Sequence, residues 1–273
     1  MATNLVTTGT RIAELLATGR PALIGYLPIG FPTVNRSIEA VCAAIDAGLD
    51  IVELGLPYTD PVMDGPVIQR ADEVALQHGT RTADVFRVIE AVKAHAPHVP
   101  VLVMSYWNLL AKYGIDQFAA DLVSVGGAGL ITPDLIPDEG AAWIAAADEY
   151  GLDKVFLVAP SSTPARLELT AKASRGFVYA SSTMGVTGLR SEVGKAARRL
   201  VADTRAAGAK HVCVGLGVST KTQAAEVGEY ADGVIAGSAF VRPLQGDVAW
   251  AERLDNLQAV VDKLAAGVVS ARM

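Results

Sequence analysis

The sequence contains few of the residues that build disulfide frameworks, metal sites or membrane spans. Among its 273 residues, two are cysteine and four are histidine. Cys42 and Cys213 fall in apolar segments and form no C-x-x-C pair, so we expect inert buried thiols and no zinc site. No apolar run approaches the ~20 residues that cross a bilayer, and residues Met1 to Arg11 lack a signal-peptide pattern. A soluble, cytoplasmic chain is expected.

Positive charge is also scarce. The chain has 23 basic and 29 acidic residues, which gives a net charge of −6, and it contains no basic run. Nucleic-acid-binding surfaces need a basic patch or stripe, so the composition excludes this class of partner. Any phosphate that the protein binds is expected to be small and held locally.

What the chain does have is a regular alternation of short apolar runs and amphipathic segments. Near-continuous apolar strands are typical of parallel sheets that are covered on both faces. The predicted strands are Ala22–Tyr26, Ile51–Leu54, Val101–Ser105, Gly129–Ile131, Val155–Val158, Phe177–Ala180, Val212–Val214 and Gly233–Ile235. The predicted helices are Arg11–Thr18, Ser37–Ala47, Val67–Gln77, Ala83–His95, Ile115–Ser124, Glu139–Tyr150, Pro164–Ala173, Val193–Ala206, Thr222–Glu229 and Trp250–Ala265.

Eight strand–helix repeats without a linker indicate a closed (β/α)8 barrel, the TIM barrel. Such a barrel occupies about 250 residues, so we expect residues 1–273 to form one domain, with a helix in residues 1–20 and the barrel in residues 22–267. An extra helix is expected after the second strand. A doubly wound open sheet is the alternative, which the strand count and the lack of G-x-G-x-x-G after the first strand weaken.

Glu53 is the most informative residue of the chain. It lies within the second predicted strand between Val52 and Leu54 and should point opposite to them, into the barrel. A buried carboxylate normally has a cationic partner or a chemical task, because desolvating the ion is costly. The sequence has no Lys, Arg or His between Asp46 and Gln69. This absence favours a working acid or base over a structural ion pair.

Two further carboxylates follow in the loop after this strand. Asp60 precedes Pro61 and Asp64 precedes Gly65, and both dipeptides are ordinary turn chemistry when taken alone. TIM-barrel active sites lie at the carboxyl ends of the strands. Asp64 and Glu53 could therefore flank one substrate there as an acid and a base.

Glycines are concentrated in the last three of these loops. The segment Ser181–Gly188 follows the sixth predicted strand, Gly215 and Gly217 follow the seventh, and Gly237 and Ser238 open a short helical segment after the eighth. Barrels often bind phosphate after strands seven and eight through backbone N–H groups and a helix N-terminus. The pattern predicts a phosphate site made of neutral backbone groups.

Aromatic and apolar residues mark several strand ends. Each of them singly is best explained as barrel core, but together they could line a flat apolar pocket between the carboxylates and the phosphate site. These residues are Tyr26, Met104, Tyr106, Ile131 and Tyr179.

Three motifs together resemble one family. The stretch Glu53–Pro66 (E-L-G-L-P-Y-T-D-P-V-M-D-G-P), the G-V-T-G sequence at residues 185–188 and the G-S-A sequence at residues 237–239 are similar to the α subunit of tryptophan synthase. The similarity runs from about Ala22 to about Arg242. It implies a TIM-barrel lyase of tryptophan biosynthesis that cleaves indole-3-glycerol phosphate to indole and glyceraldehyde 3-phosphate.

The resemblance also implies roles for individual residues. Glu53 would protonate indole C3 and take the proton of the adjacent glycerol hydroxyl, while Asp64 would hold the ring N–H. Thr187 would belong to a loop that closes toward Asp64. The implied phosphate-binding residues are Gly188, Gly217, Gly237 and Ser238, and the implied pocket residues are Tyr26, Met104, Tyr106, Ile131 and Tyr179.

A partner is implied as well. In this family the β subunit, a pyridoxal-phosphate enzyme, receives indole through a tunnel and activates the α subunit within an α2β2 heterotetramer. The α subunit has no cofactor of its own. Positions matching those near the subunit contact are Pro57, Tyr58, Asp60 and Asn108, and Asp134 matches an inter-subunit signalling position.

The chain departs from the family pattern in two loops. Residues 182–184 read S-T-M where better-known members have an Arg-Ser pair, and Thr132-Pro133 replaces small apolar residues before Asp134.

Three alternative functions are weighed against this one. They are a lyase that works without a β partner, another phosphate-binding isomerase or epimerase barrel, and a non-catalytic allosteric partner. The isomerase is weakened because no predicted strand end has the His or Lys it would need.

Overall fold

The computed structural model describes residues 6–181, 190–215 and 217–272, with the backbone alone for residues 190–193. In these ranges nine parallel strands form one sheet in the order β5-β4-β3-β2-β1-β9-β8-β7-β6. The strands are β1 Ala22–Pro28, β2 Ile51–Gly55, β3 Val101–Met104, β4 Gly129–Ile131, β5 Asp153–Val155, β6 Leu157–Val158, β7 Val178–Ser181, β8 Val212–Gly215 and β9 Gly233–Ala236. Only Phe156 separates β5 from β6, so the two outer strands of this order are consecutive in the chain and the sheet curves into a barrel.

Helices surround the sheet between successive strands. Those in the described ranges are α1 Thr8–Ala17, α2 Val34–Asp46, α3 Pro66–Gln77, α4 Asp84–His95, α5 Trp107–Tyr113, α6 Ile115–Ser124, α7 Ala141–Tyr150, α8 Pro164–Ala173, α9 Arg190–Ala206, α10 Lys221–Gly228, α11 Ser238–Val241 and α12 Trp250–Ser270, with a 3-10 helix at Arg242–Leu244. None of the described helices is long and apolar enough to cross a membrane.

The predicted barrel is confirmed, and two details differ from the prediction. Helix α5 was not predicted, because its seven residues, which are followed by Gly114, give too short a periodic pattern. The fifth predicted strand is divided at Phe156 into β5 and β6. At β5, Lys154 pairs with Arg175 in an isolated antiparallel bridge, whereas pairing with β7 begins at Leu157. The strand is interrupted where its hydrogen-bonded neighbour changes from β4 to β7.

Alternation along the strands separates two apolar layers. Ile24, Ile51 and Leu102 belong to the cluster inside the barrel, while Val52 and Leu54 pack in the cluster between the strands and the outer helices. Because strand side chains alternate between faces, Glu53 lies on the same face as Ile51. The predicted inward direction of Glu53 is confirmed.

Candidate active site

One cavity opens at the carboxyl ends of the strands, and eight of the twelve residues predicted for catalysis, loop closure, phosphate binding and the substrate pocket line it. Its walls come from β1, β2, β3, β6, β7, β8 and β9 and from loops that follow the strands. The lining residues in the described ranges are Tyr26, Glu53, Met63, Asp64, Gly65, Ile68, Met104, Pro133, Leu157, Tyr179, Ser181, Gly215, Gly217, Ile235, Gly237 and Ser238. The two carboxylates and the late glycines therefore meet at one site, at the end of the barrel where TIM-barrel enzymes carry their chemistry.

Glu53 forms the floor of this cavity. It pairs with Tyr26 of β1 and with Leu102 of β3, so the strand ladder fixes its position. Its side chain is fully buried, and neither carboxyl oxygen has a hydrogen-bond partner among the described residues. Burial raises the pKa of Glu53 to about 8, because the apolar surroundings disfavour the charged form. At neutral pH this residue holds a proton that it can donate.

Asp64 lies in the β2–α3 loop above Glu53 and has a different environment. The Tyr106 hydroxyl donates a hydrogen bond to Asp64 Oδ2 (2.9 Å) and accepts one from the Met63 N–H (2.9 Å). Burial raises the pKa of Asp64, whereas the bond from Tyr106 lowers it. A hydrogen bond to the ionised form favours that form. Asp64 is thus better placed than Glu53 to act as the anion of the pair.

Two tyrosines, Tyr26 and Tyr179, line the cavity, and each needs a glycine on the next strand. A Cβ on Gly55 would lie 2.0 Å from the Tyr26 hydroxyl, and one on Gly215 would lie 2.4 Å from the Tyr179 hydroxyl. Burial raises the pKa of both tyrosines well above the ordinary value, and nearby carboxyl groups raise it further. Both hydroxyls therefore remain protonated. They can serve as neutral hydrogen-bond donors beside a flat ring.

The rim of the cavity that follows β8 and β9 supplies backbone donors. Gly237 precedes the first turn of α11, whose leading N–H groups have no acceptor within the helix. Gly217 has a positive φ of +66°, a conformation that favours glycine, and Ser238 adds a hydroxyl to the same rim. These groups can hold an anion without a basic side chain. Thr187 and Gly188, which were predicted to complete this region, lie outside the described residues.

Two predicted pocket residues do not line the cavity. Ile131 is buried among the apolar side chains inside the barrel, in agreement with the core explanation that its sequence position also allowed. Tyr106 acts indirectly, through its bond to Asp64 and through stacking on Tyr58, with ring centroids 5.0 Å apart. Its contribution is to hold the loop that bears Asp64.

The residues predicted to contact a partner lie around this end of the barrel. The Asn108 amide donates a hydrogen bond to the Tyr58 hydroxyl (3.3 Å), and the Asp134 carboxylate accepts the Trp107 N–H at the start of α5 (2.9 Å). Asp60 is exposed, whereas Pro57 is buried behind the loop. Asn108 and Asp134 are also exposed, and none of these residues lines the cavity.

Several residues that line the cavity were not predicted from the sequence. Gly65, Ile68, Leu157 and Ile235 have no distinctive pattern, because apolar and glycine residues near strand and helix ends are common. Gly55 could have been recognised, since a glycine inside a strand often marks a close approach of another group.

The chain is similar to proteins of known sequence and structure. Residues 12–269 match the family model described as tryptophan synthase alpha chain. The tryptophan synthase alpha chain of Mycobacterium marinum is 55% identical over 252 residues, which cover 92% of this chain and 91% of that protein. The alpha chain of Bifidobacterium longum is 51% identical over 269 residues, with 97% and 92% covered.

Solved structures agree with the sequence matches. A structure of Mycobacterium tuberculosis tryptophan synthase superimposes with a TM-score of 0.88 at 50% identity, covering 97% of this chain and 98% of that chain. The tryptophan synthase subunit alpha of Legionella pneumophila gives a TM-score of 0.85 at 27% identity, with 96% and 98% covered. Sequence and fold therefore agree, and the chain belongs to the tryptophan synthase alpha chain family.

Proposed function

We propose that Glu53 and Asp64 carry out the reaction of this family, in which indole-3-glycerol phosphate is cleaved to indole and glyceraldehyde 3-phosphate. The observation that supports these roles most strongly is the Glu53 carboxyl, which is fully buried and unpartnered in the cavity that Asp64 also lines. A buried acid without a cationic partner is costly to keep. We infer that the chain keeps this acid because the reaction uses its proton.

The proton balance fits two acids in different states. Neutral Glu53 donates its proton to indole C3, and the positive charge that develops on the ring is stabilised by the Asp64 carboxylate at the ring N–H. Ionised Glu53 then accepts the proton of the glycerol hydroxyl next to the ring. The carbon–carbon bond breaks, its electron pair restores the aromatic indole, and the hydroxyl carbon becomes the aldehyde. Glu53 ends the cycle protonated, as it began.

The substrate phosphate would bind at the other side of the cavity. Gly217, Gly237 and Ser238 lie there with the first turn of α11, and Gly188 is proposed to join them. Backbone N–H groups and a hydroxyl can hold a phosphate in a protein of net charge −6. The indole ring would then lie beside Tyr26, Met104 and Tyr179.

We propose that the chain works with a β chain in an α2β2 assembly and that pyridoxal phosphate belongs to that partner. The support is a surface beside the cavity mouth where Val62 is 81% exposed, Met63 55% and Ile136 43%. Contiguous exposed apolar side chains often mark interaction sites. Of the residues predicted as partner contacts, Tyr58 and Asp60 lie in the loop of Val62 and Met63, Asp134 lies in the loop of Ile136, and Asn108 lies in α5.

The test is the rate of indole release from indole-3-glycerol phosphate by the chain alone and with a tryptophan synthase β chain added. Strong stimulation supports the assembly, whereas equal rates support a lyase that works alone. Failure to release indole under either condition would contradict the proposed chemistry. Glu53→Gln and Asp64→Asn in the same assay test the two residue roles.

A further inference from the structure

A second cavity lies at the N-terminal end of the barrel, away from the site described above. It has a volume of about 270 Å³ and lies between helix α1, the starts of β5, β7 and β8, and the loop that joins α8 to β7. Asp153, Lys210 and His211 are among its lining residues, and none of these three lines the substrate cavity. Drug-sized ligands occupy cavities of about 300–1,000 Å³, so this one fits only a small metabolite.

Asp153 is the buried acid of this second cavity. It is the first residue of β5, where it pairs with Gly129, and its side chain is fully buried. The Thr8 N–H and the Thr8 hydroxyl both donate to its Oδ2 atom (2.7 and 2.6 Å), and these bonds hold helix α1 against the barrel. Oδ1 has no hydrogen-bond partner among the described residues. The attachment of α1 therefore explains one oxygen of Asp153 and not the other.

His211 is the second buried polar residue in the wall. It directly precedes β8 and is 6% exposed, and neither ring nitrogen has a hydrogen-bond partner among the described residues. Burial lowers the pKa of His211, although the charge of Asp232 opposes this shift, so the ring is neutral at pH 7. A neutral imidazole has one N–H donor and one acceptor nitrogen. Leaving such groups unpaired in the interior is costly.

Two glycines allow the walls of the second cavity to approach each other. Gly176 has a φ of +94°, and a Cβ at this position would lie 2.4 Å from Thr8 Oγ1 and 2.9 Å from Asp153 Cγ. A Cβ on Gly9, in the first turn of α1, would lie 3.3 Å from the Gly176 carbonyl oxygen. Helix α1 and the α8–β7 loop can therefore come this close because both positions lack a side chain. The backbone is shaped to hold Asp153 where it lies.

The charges around the second cavity favour a ligand that carries both signs of charge. Arg175 is engaged, because its guanidinium donates to Asp148 Oδ1 (3.0 Å) and to backbone carbonyl groups. Lys210 is exposed at the rim and takes part in none of the ion pairs found among the described residues. Asp153 repels a bare anion, and Lys210 repels a bare cation. The free groups suit a molecule with one anionic group and one cationic N–H donor.

We propose that the second cavity binds a small zwitterion of the amino-acid class, with its ammonium group on Asp153 Oδ1 and its carboxylate toward His211 and Lys210. The ammonium group supplies the donor that Oδ1 lacks, and the carboxylate accepts from the imidazole N–H and the lysine ammonium. Hydrogen bonds between charged partners are the stronger ones. The site lies at the end of the barrel opposite to Glu53 and Asp64, so it does not depend on the proposed function.

Calorimetric titration of the whole chain tests the ligand class. The probes are glycine, L-alanine and L-valine, together with propionate and ethylamine, each of which lacks one charged group of L-alanine. We expect at least one amino acid to bind with a Kd of about 1 mM or tighter and to raise the Tm, since a ligand of the folded state stabilises it. Propionate and ethylamine should bind at least about tenfold more weakly than L-alanine, because each leaves a buried group unpaired. Failure of all three amino acids, or equal binding of L-alanine and its two fragments, would overturn the proposal.

Two substitutions test the residues of the site. Asp153→Asn keeps an oxygen for the Thr8 bonds and replaces the free oxygen by an N–H₂ donor, so amino-acid binding should weaken about tenfold or more. Lys210→Ala, an exposed change, should weaken it by a similar factor without affecting the fold. Lys263→Ala, the same change at an exposed position of α12, is the matched control and should bind like the unsubstituted chain. Unchanged affinity in both site variants would overturn the proposal, and Lys210→Ala decides alone if Asp153→Asn does not fold.

The histidine ring signals locate the bound molecule. In ¹⁵N-histidine-labelled chain, the amino acid that binds should shift the ring nitrogens of His211, which are identified by their loss in His211→Phe. The signals of His78, His95 and His98 should stay in place. Binding that leaves the His211 signals unmoved would place the ligand elsewhere and contradict the proposal. Indole release by the Asp153→Asn and Lys210→Ala chains should match that of the unsubstituted chain, because Glu53 and Asp64 are untouched.

Discussion

Buried carboxylates have hydrogen-bond partners at the N-terminal end of the barrel and lack them at the C-terminal end, among the described residues. At the N-terminal end Asp50 accepts two hydrogen bonds from Arg20 (2.7 Å each) and one from the Leu23 N–H (2.9 Å). Asp232 accepts bonds from Arg205 (2.7 Å) and from the Val212 N–H (2.9 Å). At the C-terminal end both oxygens of Glu53 and one oxygen of Asp72 have no partner among the described residues.

We propose that the paired acids support the fold and that the unpaired acid of the substrate cavity supports the reaction. A paired carboxylate stays ionised and holds strands together, so breaking the pair costs stability. An unpaired one keeps its proton and lowers stability at neutral pH, in return for a group that can exchange that proton. Asp153 is intermediate, because Thr8 donates two hydrogen bonds to its Oδ2 while Oδ1 has no partner. It lies at the N-terminal end, away from the substrate cavity.

The largest effect is expected from Glu53→Gln on catalysis. The amide preserves the shape of the side chain but cannot exchange the proton, so kcat should fall 10²–10⁴-fold or more, in the range of general acid–base contributions of about 10²–10⁴. Indole release measures kcat, and binding of a non-cleavable indole-alkyl phosphate should remain largely intact. Wild-type rates in this variant would remove Glu53 from the mechanism.

The same substitution should stabilise the fold. The folded-state pKa of Glu53 is about 8, above its ordinary value of 4.5, so the native chain loses stability as pH rises from about 4.5 to about 8. Glu53→Gln avoids this loss. Its free energy of unfolding in urea should exceed that of the unsubstituted chain by on the order of 3 kcal/mol near pH 7–8 and match it near pH 4. A gain that is the same at both pH values would point to another cause.

Asp50→Ala should have the opposite effect at the other end. The change leaves Arg20 and the Leu23 N–H without their acceptor, and we expect a loss of about 2–4 kcal/mol, discounted because Arg20 is partly exposed. Urea unfolding at pH 7 measures the loss, while kcat of the folded fraction should stay close to that of the unsubstituted chain. A stable variant with impaired kcat would contradict the division between the two ends.

The smallest effect is expected at the phosphate rim. Ser238→Asp places a negative charge where the substrate phosphate is proposed to bind, so KM should rise about tenfold or more by charge repulsion. Ser219→Asp, an exposed change outside the cavity, serves as a control. An unchanged KM in Ser238→Asp would mean that the phosphate binds elsewhere.

Much of the fold could be predicted from the sequence because its signals are local. Short apolar runs and helical patterns located the strands of the barrel to within a few residues. The direction of the Glu53 side chain followed from its position between Val52 and Leu54. The division of one strand at Phe156 could not be predicted, because it depends on Lys154 pairing with Arg175.

The site was predictable in part. Glu53 is unusual within a strand and could be recognised from the sequence, whereas Asp72 looks ordinary in a helix until the packing of α3 shows that it is buried. The hydrogen bond between Tyr106 and Asp64 joins residues 42 positions apart, and no local sequence pattern predicts it. Long-range contacts of this kind decide which carboxyl is the anion.

The protonation state of Glu53 in the folded chain tests the account most directly. A ¹³C-carboxyl titration of glutamate-labelled protein between pH 5 and pH 10, with Glu53→Gln identifying the signal, would follow this one group. We expect a midpoint near 8, the value to which burial raises the pKa of Glu53. A midpoint close to the ordinary glutamate value would contradict the account, because the acid would then have no proton to give at neutral pH.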